Sequence, residues 1–233
     1  MSEIGFRILP AASAPDLGLI AQFRDVAVAH LSDSMQRMHS GQGILPLNRR
    51  CRLAGAALTV RVPPGDNLMV HKALDMARPG EVVVVDAAGG ITNAIIGELM
   101  TRYAIKRGVA GFVIDGAVRD SEALAEGDFP IFARGVSHRG PFKAGPGEIN
   151  VPVSIGGMVI CPGDIVVGDA DGVVAIHRDD AAAILKAGRA KALQEQAQME
   201  KIASGTNDRS WVDATLRSLG CALPGLPPAR DPR

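Results

Sequence analysis

The sequence predicts an α/β domain with a parallel βαβ core, a short-stranded barrel-like or swivelling β section and a C-terminal helical extension. Two near-continuous apolar runs, Glu81 to Asp86 and Gly111 to Asp115, are typical of strands buried on both faces. Between them, Ile91 to Arg107 has apolar residues at helical spacing. A strand, a helix and a strand repeating at about 25 residues indicate a parallel βαβ unit.

The residues before this unit predict short alternating elements. Apolar residues three and four apart favour helices, whereas alternation of polar and β-branched residues favours strands. We expect a helix over Asp16 to Arg24, a strand over Asp25 to Leu31, a helix capped by Ser32 and ending at Met38, a strand over Leu53 to Val62 and a helix over Asn67 to Ala77.

The sequence pattern changes after the βαβ unit. Short strands punctuated by Gly and Pro are expected over 129–176, then a long helix over Arg178 to Ala203, a helix over Trp211 to Leu219 and an extended tail. Two turns resemble each other, Pro79-Gly80-Glu81 and Pro162-Gly163-Asp164, and each leads into a strand. We place the α/β domain at 1–190 and the helical extension at 191–233.

Composition excludes several classes of protein. The chain has 233 residues, with 25 Lys and Arg against 25 Asp and Glu, so it lacks the basic excess of a nucleic-acid or membrane-surface binder. Aromatic residues make up 3%, too few for a base-stacking platform. Three widely spaced cysteines form neither a disulfide framework nor a zinc pattern. With no signal architecture at the N-terminus, we expect a reduced, cytoplasmic protein.

The densest set of polar residues lies between 89 and 120. Glu98 starts a helical pattern, and Arg119-Asp120 follows a predicted strand. Ligands of parallel α/β units collect beyond the carboxyl ends of the strands, so both segments can face one crevice. Arg119 suits a carboxylate, Asp120 suits Mg²⁺ or Mn²⁺, and Glu98 adds a second carboxylate. The alternative is that Arg119 and Asp120 form a surface pair at a helix start and Glu98 is a solvated helical residue.

For the other polar residues, we expect structural roles rather than catalytic ones. His71 lies in an amphipathic helical run and is expected to pack or hydrogen-bond. Asn93 is assigned to turn geometry, and Asp33 to capping beside Ser32. Asp115 is expected to brace the Arg119 loop. The sequence contains no G-x-S-x-G elbow for a serine hydrolase and no glycine-rich nucleotide loop after a strand.

The stretch GELMTRYAIKRGVAGFVIDGAVRD, Gly97 to Asp120, resembles the signature of the 4-hydroxy-4-methyl-2-oxoglutarate aldolase family, class II pyruvate aldolases that share the fold of the regulator of ribonuclease activity A. That signature is an acidic residue, twenty spacer residues and then Arg-Asp. The similarity extends through residues 30–35, 79–90 and 162–176. Glu98 departs from the pattern, because the best-described enzymes have Asp at that position.

The resemblance implies a divalent-metal-dependent lyase. It implies retro-aldol cleavage of a 4-hydroxy- or 4-carboxy-4-hydroxy-2-oxo acid to pyruvate, with oxaloacetate decarboxylase activity through the same enolate. Asp120 would hold the Mg²⁺ or Mn²⁺ directly, and Arg119 would stabilise the enolate oxygen. The amides of the segment Gly97, Glu98, Leu99 and Met100 would seat the pyruvate carboxylate. Glu98 would organise metal-bound water, as part of a proton relay.

The resemblance also implies a homo-oligomer, a trimer or hexamer with sites near subunit clefts. Its expected partner is a small 2-oxo acid substrate, and we expect it to bind neither nucleic acid nor a membrane. The Ala-rich helix would be poorly buried on a monomer, which favours the same conclusion. A second hypothesis is a non-enzymatic regulator that binds ribonuclease E. Regulators on this fold lack the complete acidic-Arg-Asp set, which this chain retains.

Overall fold

The structure is a computed structural model that describes residues 3–48 and 52–222. Within these ranges, eleven strands alternate with seven α-helices and two short 3₁₀ turns. The strands are β1 (Phe6–Ile8), β2 (Leu45–Pro46), β3 (Leu53–Arg61), β4 (Glu81–Ile96), β5 (Gly111–Val118), β6 (Ile131–Val136), β7 (Gly147–Ile149), β8 (Val153–Ile155), β9 (Met158–Ile160), β10 (Ile165–Asp169) and β11 (Gly172–Ile176). The helices are α1 (Leu17–Ala21), α2 (Val28–Ser34), α3 (Leu68–Met76), α4 (Glu98–Lys106), α5 (Ser121–Glu126), α6 (Ala181–Ala203) and α7 (Ser210–Ser218).

Four adjacent parallel strands, β3, β4, β5 and β6, form the centre of a large mixed sheet. The helices α3, α4 and α5 connect them, so the βαβ unit expected around α4 is one of three in succession. Antiparallel strands flank this centre: β10 and β7 share one edge of β3, and β2 pairs with β6. Beyond them, β11 is antiparallel to β10, whereas β1 is parallel to β7. β8 and β9 form a separate hairpin. The predicted α/β class with a short-stranded β section is confirmed.

The run of valines in β4 is buried on both faces of the sheet. Val83 and Val85 belong to the apolar cluster that includes residues of α3, α4 and α5. Val82 and Val84 belong to a second cluster, which includes residues of β8 and β9. All four side chains have no exposed area. Burial on both faces explains why the run does not alternate with polar residues.

The strand predicted over Asp25 to Leu31 is wrong, and so is the helix capped by Ser32. The helix α2 starts earlier, at Val28, and Ser32 lies inside it. Val28 and Leu31, three residues apart, pack into a third apolar cluster against β10 and β11. The side chain of Asp169, at the end of β10, accepts the Val28 N–H at 2.9 Å. This capping acceptor lies 141 residues away in the chain, so no local pattern indicates it.

The helix predicted over Ile91 to Arg107 is also too long. Residues up to Ile96 continue β4, and α4 starts at Glu98. Ala94 and Ile96 pair with Ala117 and Val118 of β5 after register shifts within the glycine-rich segment. Short apolar runs do not distinguish a strand from a buried helix. The correction matters because it places the start of α4 directly at the end of β4.

The chain divides into two compact units, Met1–Lys191 and Ala192–Arg233. The predicted long helix and the final helix are present as α6 and α7. On α7 the only tryptophan of the sequence, Trp211, is 63% exposed. The tail expected to be extended lies, from residue 223 onward, outside the described residues. In the part of the chain that the structure describes, no helix is long and apolar enough to cross a membrane.

The two similar turns before β4 and β10 have the same geometry. In each, the acidic residue donates its backbone N–H to the carbonyl three residues earlier, and its side chain accepts the N–H of that same earlier residue. The second bond is Arg78 N to Glu81 Oε2 at 2.7 Å in one turn and Cys161 N to Asp164 Oδ2 at 2.8 Å in the other. The glycines Gly80 and Gly163 both have φ of +85°. Proline followed by glycine with positive φ is the pattern of a type II turn.

Gly163→Ala is expected to destabilise the protein more than Gly80→Ala. Both changes force an L side chain to positive φ, which costs roughly 1–2 kcal/mol. A Cβ at Gly163 would also lie 2.5 Å from the backbone oxygen of Ser13, whereas at Gly80 it would meet only the flexible end of Leu17 at 3.2 Å. Thermal unfolding of the two variants measures the difference. Equal melting temperatures would contradict the role given to the Ser13 carbonyl.

Candidate functional site

Beyond the strand pairing, a side-chain hydrogen bond joins the segments that follow β4 and β5. The carboxylate Oδ2 of Asp120, just after β5, accepts the backbone N–H of Glu98, the first residue of α4, at 3.0 Å. Asp120 precedes α5 but makes no side-chain cap there. Its backbone is left-handed, with φ of +55°. The side chain therefore points to the neighbouring helix rather than to its own, unlike a simple helix-capping aspartate.

Gly97 allows this approach because it has no side chain. A Cβ at this position would lie 2.4 Å from Oδ2 of Asp120 and 2.8 Å from Cγ of Arg119. Both distances are shorter than any real Cβ contact. The structure thus brings together three residues that the sequence singled out, although 22 residues separate the partners of the Asp120 bond.

Arg119 lies between two cavities. A cleft of about 680 Å³ is lined by Arg119, Asp120 and His138, with residues of α5. A smaller pocket of about 150 Å³ is lined by Arg119 and by Gly97, Leu99 and Met100 at the start of α4. The Arg119 side chain is 41% exposed, and its Nε lies 3.8 Å from Oδ2 of Asp120. Its guanidinium can therefore serve an anion in either cavity.

The smaller pocket has a polar wall at Asn67, which is 2% exposed. Its Nδ2 donates to the carbonyl of Ile95 at 2.8 Å and to the sulfur of Met100 at 3.2 Å. These bonds hold the end of β4 and the first turn of α4 together. Its Oδ1 has no partner within the described ranges, which leaves one acceptor for a water molecule.

The side chain of Glu98 has a partner on its own helix. Its Oε1 accepts from Nε and Nη2 of Arg102, one turn later, at 2.8 and 2.6 Å. Glu98 is not among the residues that line either cavity in the described part of the chain. In this conformation the backbone N–H of Glu98 binds Asp120, whereas its carboxylate binds Arg102.

The residues around Asp120 fit a divalent cation that keeps most of its water. Among residues 3–48 and 52–222, no group of three or more His, Cys, Asp or Glu side chains is arranged to hold a metal ion. Oδ1 of Asp120 has no hydrogen-bond or ion-pair partner within these ranges, and Asp120 lines the larger cleft. Mg²⁺ is commonly held by one or two carboxylates, with waters and substrate filling its other positions.

Sequence reasoning missed two residues of the smaller pocket, His71 and Lys143. Partial desolvation lowers the pKa of His71 below its ordinary value, the nearby Lys143 ammonium lowers it further, and Asp75 acts in the opposite direction. His71 was expected to be structural, and Lys143 carried no signal because it lies in an irregular loop. The same loop places His138 in the larger cleft.

Three other polar residues make structural contacts. Asp115 does not brace the Arg119 loop as expected, because its carboxylate accepts from Arg134 and from the Gly156 N–H. Asn93 donates to the carbonyl of Gly140 at 2.7 Å. Asp33 forms ion pairs at 3.3 and 3.5 Å with Arg37 and Lys191.

The fold and the residues at the strand ends define an α/β protein with cavities beside the ends of β4 and β5, and sequence comparison identifies its family. A family model described as RraA-like, Aldolase/RraA, matches residues 28–175. The chain therefore belongs to the Aldolase/RraA family. This finding confirms the resemblance noted from Gly97 to Asp120.

The chain is similar to proteins named as aldolases and to one named as an RNA-processing inhibitor. A protein of Halalkalibacterium halodurans, provisionally named 4-hydroxy-4-methyl-2-oxoglutarate aldolase, is 41% identical over 82% of this chain and 91% of its own. A Thermus thermophilus protein named 4-hydroxy-4-methyl-2-oxoglutarate aldolase is 37% identical over 54% of this chain and 76% of its own. The solved RNA-processing inhibitor RraA from Thermus thermophilus is 31% identical, covering 66% of this chain and 94% of its own, with a TM-score of 0.61.

Gly97→Ala is expected to break the hydrogen bond between Asp120 and the Glu98 N–H, because the new methyl group would lie 2.4 Å from Oδ2 and displace it. The amide of Glu98 should then exchange with solvent faster, which hydrogen–deuterium exchange measures. Gly127→Ala is the matched control, since a Cβ there meets only ordinary contacts at 3.7 Å or more. Unchanged exchange at Glu98 in Gly97→Ala would contradict the close approach.

Proposed function

We propose that the protein is a divalent-metal-dependent carbon–carbon lyase that cleaves a 4-hydroxy- or 4-carboxy-4-hydroxy-2-oxo acid and releases pyruvate. The observation that carries this proposal is the meeting of Asp120, Arg119 and the start of α4 at the ends of β4 and β5. A carboxylate and a helix N-terminus in two adjacent cavities, with a guanidinium lining both, suit a cation and a small anionic substrate. The names of the aldolase relatives support the same reaction.

Asp120 would hold the divalent cation, Mg²⁺ or Mn²⁺, through the oxygen that has no partner within the described ranges. When bound, the cation supplies Lewis-acid polarisation of the 2-oxo group and its carboxylate. Asp120 is suited to this because its other oxygen is fixed by the Glu98 N–H, so the carboxylate is oriented before a cation arrives. The left-handed backbone at Asp120 adds to that orientation.

Arg119 would stabilise negative charge on the 2-oxo oxygen as the carbon–carbon bond breaks. Its position between the two cavities lets it reach both the Asp120 side and the start of α4. The N–H groups of the segment Gly97 to Met100, apart from the Glu98 N–H that Asp120 already binds, would donate to the pyruvate carboxylate, and the dipole of α4 favours a negative charge there. Oxaloacetate decarboxylation passes through the same pyruvate enolate, so this arrangement would support it as a second reaction.

Glu98 would act less directly. Its carboxylate is bound to Arg102, so an exchange of that partner is needed before it can order water in the cleft or pass a proton. Aspartate at this position would be one methylene shorter and would bind Arg102 less readily. The substitution of Glu for Asp in this family position therefore bears on the proton step more than on substrate binding.

Apolar side chains at the rim of both cavities support a homo-oligomer, a trimer or a dimer of trimers. Leu99 is 78% exposed, Phe142 65% and Val136 59%. A neighbouring subunit would cover them and complete the crevice. Light scattering at micromolar concentration is expected to give a multiple of the 24.3 kDa chain mass. A particle of monomer mass would contradict the proposal.

The lyase proposal is tested by pyruvate release in a lactate-dehydrogenase-coupled assay. With Mg²⁺ or Mn²⁺, pyruvate should form from oxaloacetate or from a 4-hydroxy-2-oxo dicarboxylic acid faster than in a chelated control. Asp120→Ala should abolish the metal-dependent rate, whereas Glu126→Ala, at the exposed end of α5, should leave it unchanged. Arg119→Ala should lower the rate about 10²–10³-fold, the usual effect of losing one oxyanion donor. Glu98→Ala should fall between the unmodified protein and Asp120→Ala, and Glu98→Asp should retain or raise activity.

The competing function is regulation of an RNA-processing enzyme, which the likeness to the RraA inhibitor favours. A pull-down with ribonuclease E, with and without EDTA, distinguishes the two. Tight metal-independent binding, together with no pyruvate above the chelated control for any substrate of the panel, would replace the lyase proposal by the regulator.

A further inference from the structure

The smaller pocket beside Arg119 has a second cation in its wall. Lys143 and His71 line it together with Arg119 and the start of α4. No Asp or Glu is among its lining residues in the described part of the chain. Arg119 and Lys143 each carry a permanent positive charge, and together with the N-terminus of α4 they surround a pocket of about 150 Å³. This environment suits an anion of the size of a carboxylate.

Four backbone-directed hydrogen bonds hold the loop that carries Lys143. Phe142 donates its N–H to the carbonyl of Gly65 at 2.8 Å and accepts the N–H of Asn67 at 3.0 Å. Asp66, which is 4% exposed, accepts the N–H groups of Ala144 and Gly145 through Oδ2 at 2.7 and 3.0 Å. These bonds hold the backbone on both sides of Lys143. Their partners are residues 65–67, which directly precede α3.

The loop is also attached to β4. Ala94 donates its N–H to the carbonyl of Arg139 at 2.8 Å, and Asn93 donates to the carbonyl of Gly140. The loop therefore spans from the strand that leads into Gly97 to the helix that carries His71. This fixation makes the position of the Lys143 Cα a property of the fold, and only the side chain is left to adjust.

We propose that Lys143 is a further substrate-binding residue, whose ammonium joins Arg119 and the α4 amides in binding the carboxylate of the pyruvate unit. The assignment of this carboxylate to pyruvate rests on the proposed lyase function, whereas the anion pocket itself rests on the contacts above. A lysine serves here as a compact point charge on a flexible stem, so it can follow the carboxylate without bidentate geometry.

Loss of the ammonium should weaken binding more than turnover. In Lys143→Met we expect the affinity for pyruvate, measured by calorimetry with Mg²⁺ present, to fall roughly tenfold or more, the effect of one hydrogen bond to a charged group. KM for oxaloacetate should rise by a similar factor while kcat changes less than about threefold, because the contact exists before and during the reaction. Lys143→Arg should restore most of the binding. Lys72→Met removes one exposed charge from α3 outside the pocket and is the matched control.

His71 gives a readout that does not depend on catalysis. His71 lies on α3 and lines the smaller pocket together with Lys143, with Asp75 one turn later and Tyr103 of α4 nearby. In an NMR titration, addition of pyruvate should raise the pKa of His71, because a bound anion favours the imidazolium. Lys143→Met without pyruvate should raise it as well, because the ammonium lowers it in the unmodified protein.

The outcomes separate this proposal from the lyase proposal. If the protein forms pyruvate but Lys143→Met behaves like Lys72→Met in KM and in pyruvate affinity, the Lys143 assignment is overturned and the lyase stands. If oxaloacetate KM rises while pyruvate binding is unchanged, Lys143 contacts another part of the substrate and the assignment is also overturned. If no substrate of the panel yields pyruvate, yet pyruvate binds and binding depends on Lys143, the lyase fails and the anion pocket is supported.

Discussion

The contact between the Asp120 carboxylate and the Glu98 N–H is the constraint on which the candidate site depends. It ties the loop after β5 to the start of α4, and it exists only because Gly97 leaves room for it. This bond orients the Asp120 carboxylate, while a backbone hydrogen bond from the Arg119 N–H to the carbonyl of Ile96, at 3.0 Å, positions Arg119 beside it. The parallel pairing of β4 with β5 supplies the proximity, since equivalent ends of parallel strands meet at one edge of the sheet.

The electrostatics of the crevice follow from this arrangement. Asp120 uses one oxygen to accept the Glu98 N–H, and among the described residues two acids, Asp120 and Glu122, line the larger cleft. The smaller pocket has the opposite character, with Arg119 and Lys143 in its wall. Arg119 lines both cavities. A substrate that binds a cation could therefore hold that cation in the larger cleft and place its own carboxylate in the smaller pocket. Because backbone hydrogen bonds fix the loop before Lys143 and the ends of both strands, little ordering is left to occur on binding.

Much of the fold could be predicted, because it depends on local patterns. The valine run of β4, the helical spacing of α3 and α6 and the two proline-glycine turns each indicated the element that the structure contains. The errors occur where a distant contact decides: α2 is capped by Asp169 across 141 residues, and the end of β4 is held as a strand by pairing with β5. For the site, the spacing of Glu98 and Arg119-Asp120 could be recognised in the sequence, whereas no sequence pattern indicated that Lys143 lines the pocket. It reaches the pocket through loop contacts with residues 65–67, almost eighty positions away, which leave no periodic pattern.

The distribution of aromatic residues has a consequence for spectroscopy. The chain has one tyrosine and one tryptophan. Tyr103 lies on α4 with its hydroxyl on Asp75, whereas Trp211 lies on α7, in the other compact unit. Indole fluorescence therefore reports the environment of α7, and the phenol absorbance reports the helix whose first turn forms the crevice. Two optical signals recorded on the unlabelled protein thus distinguish events in the helical extension from events at the candidate site.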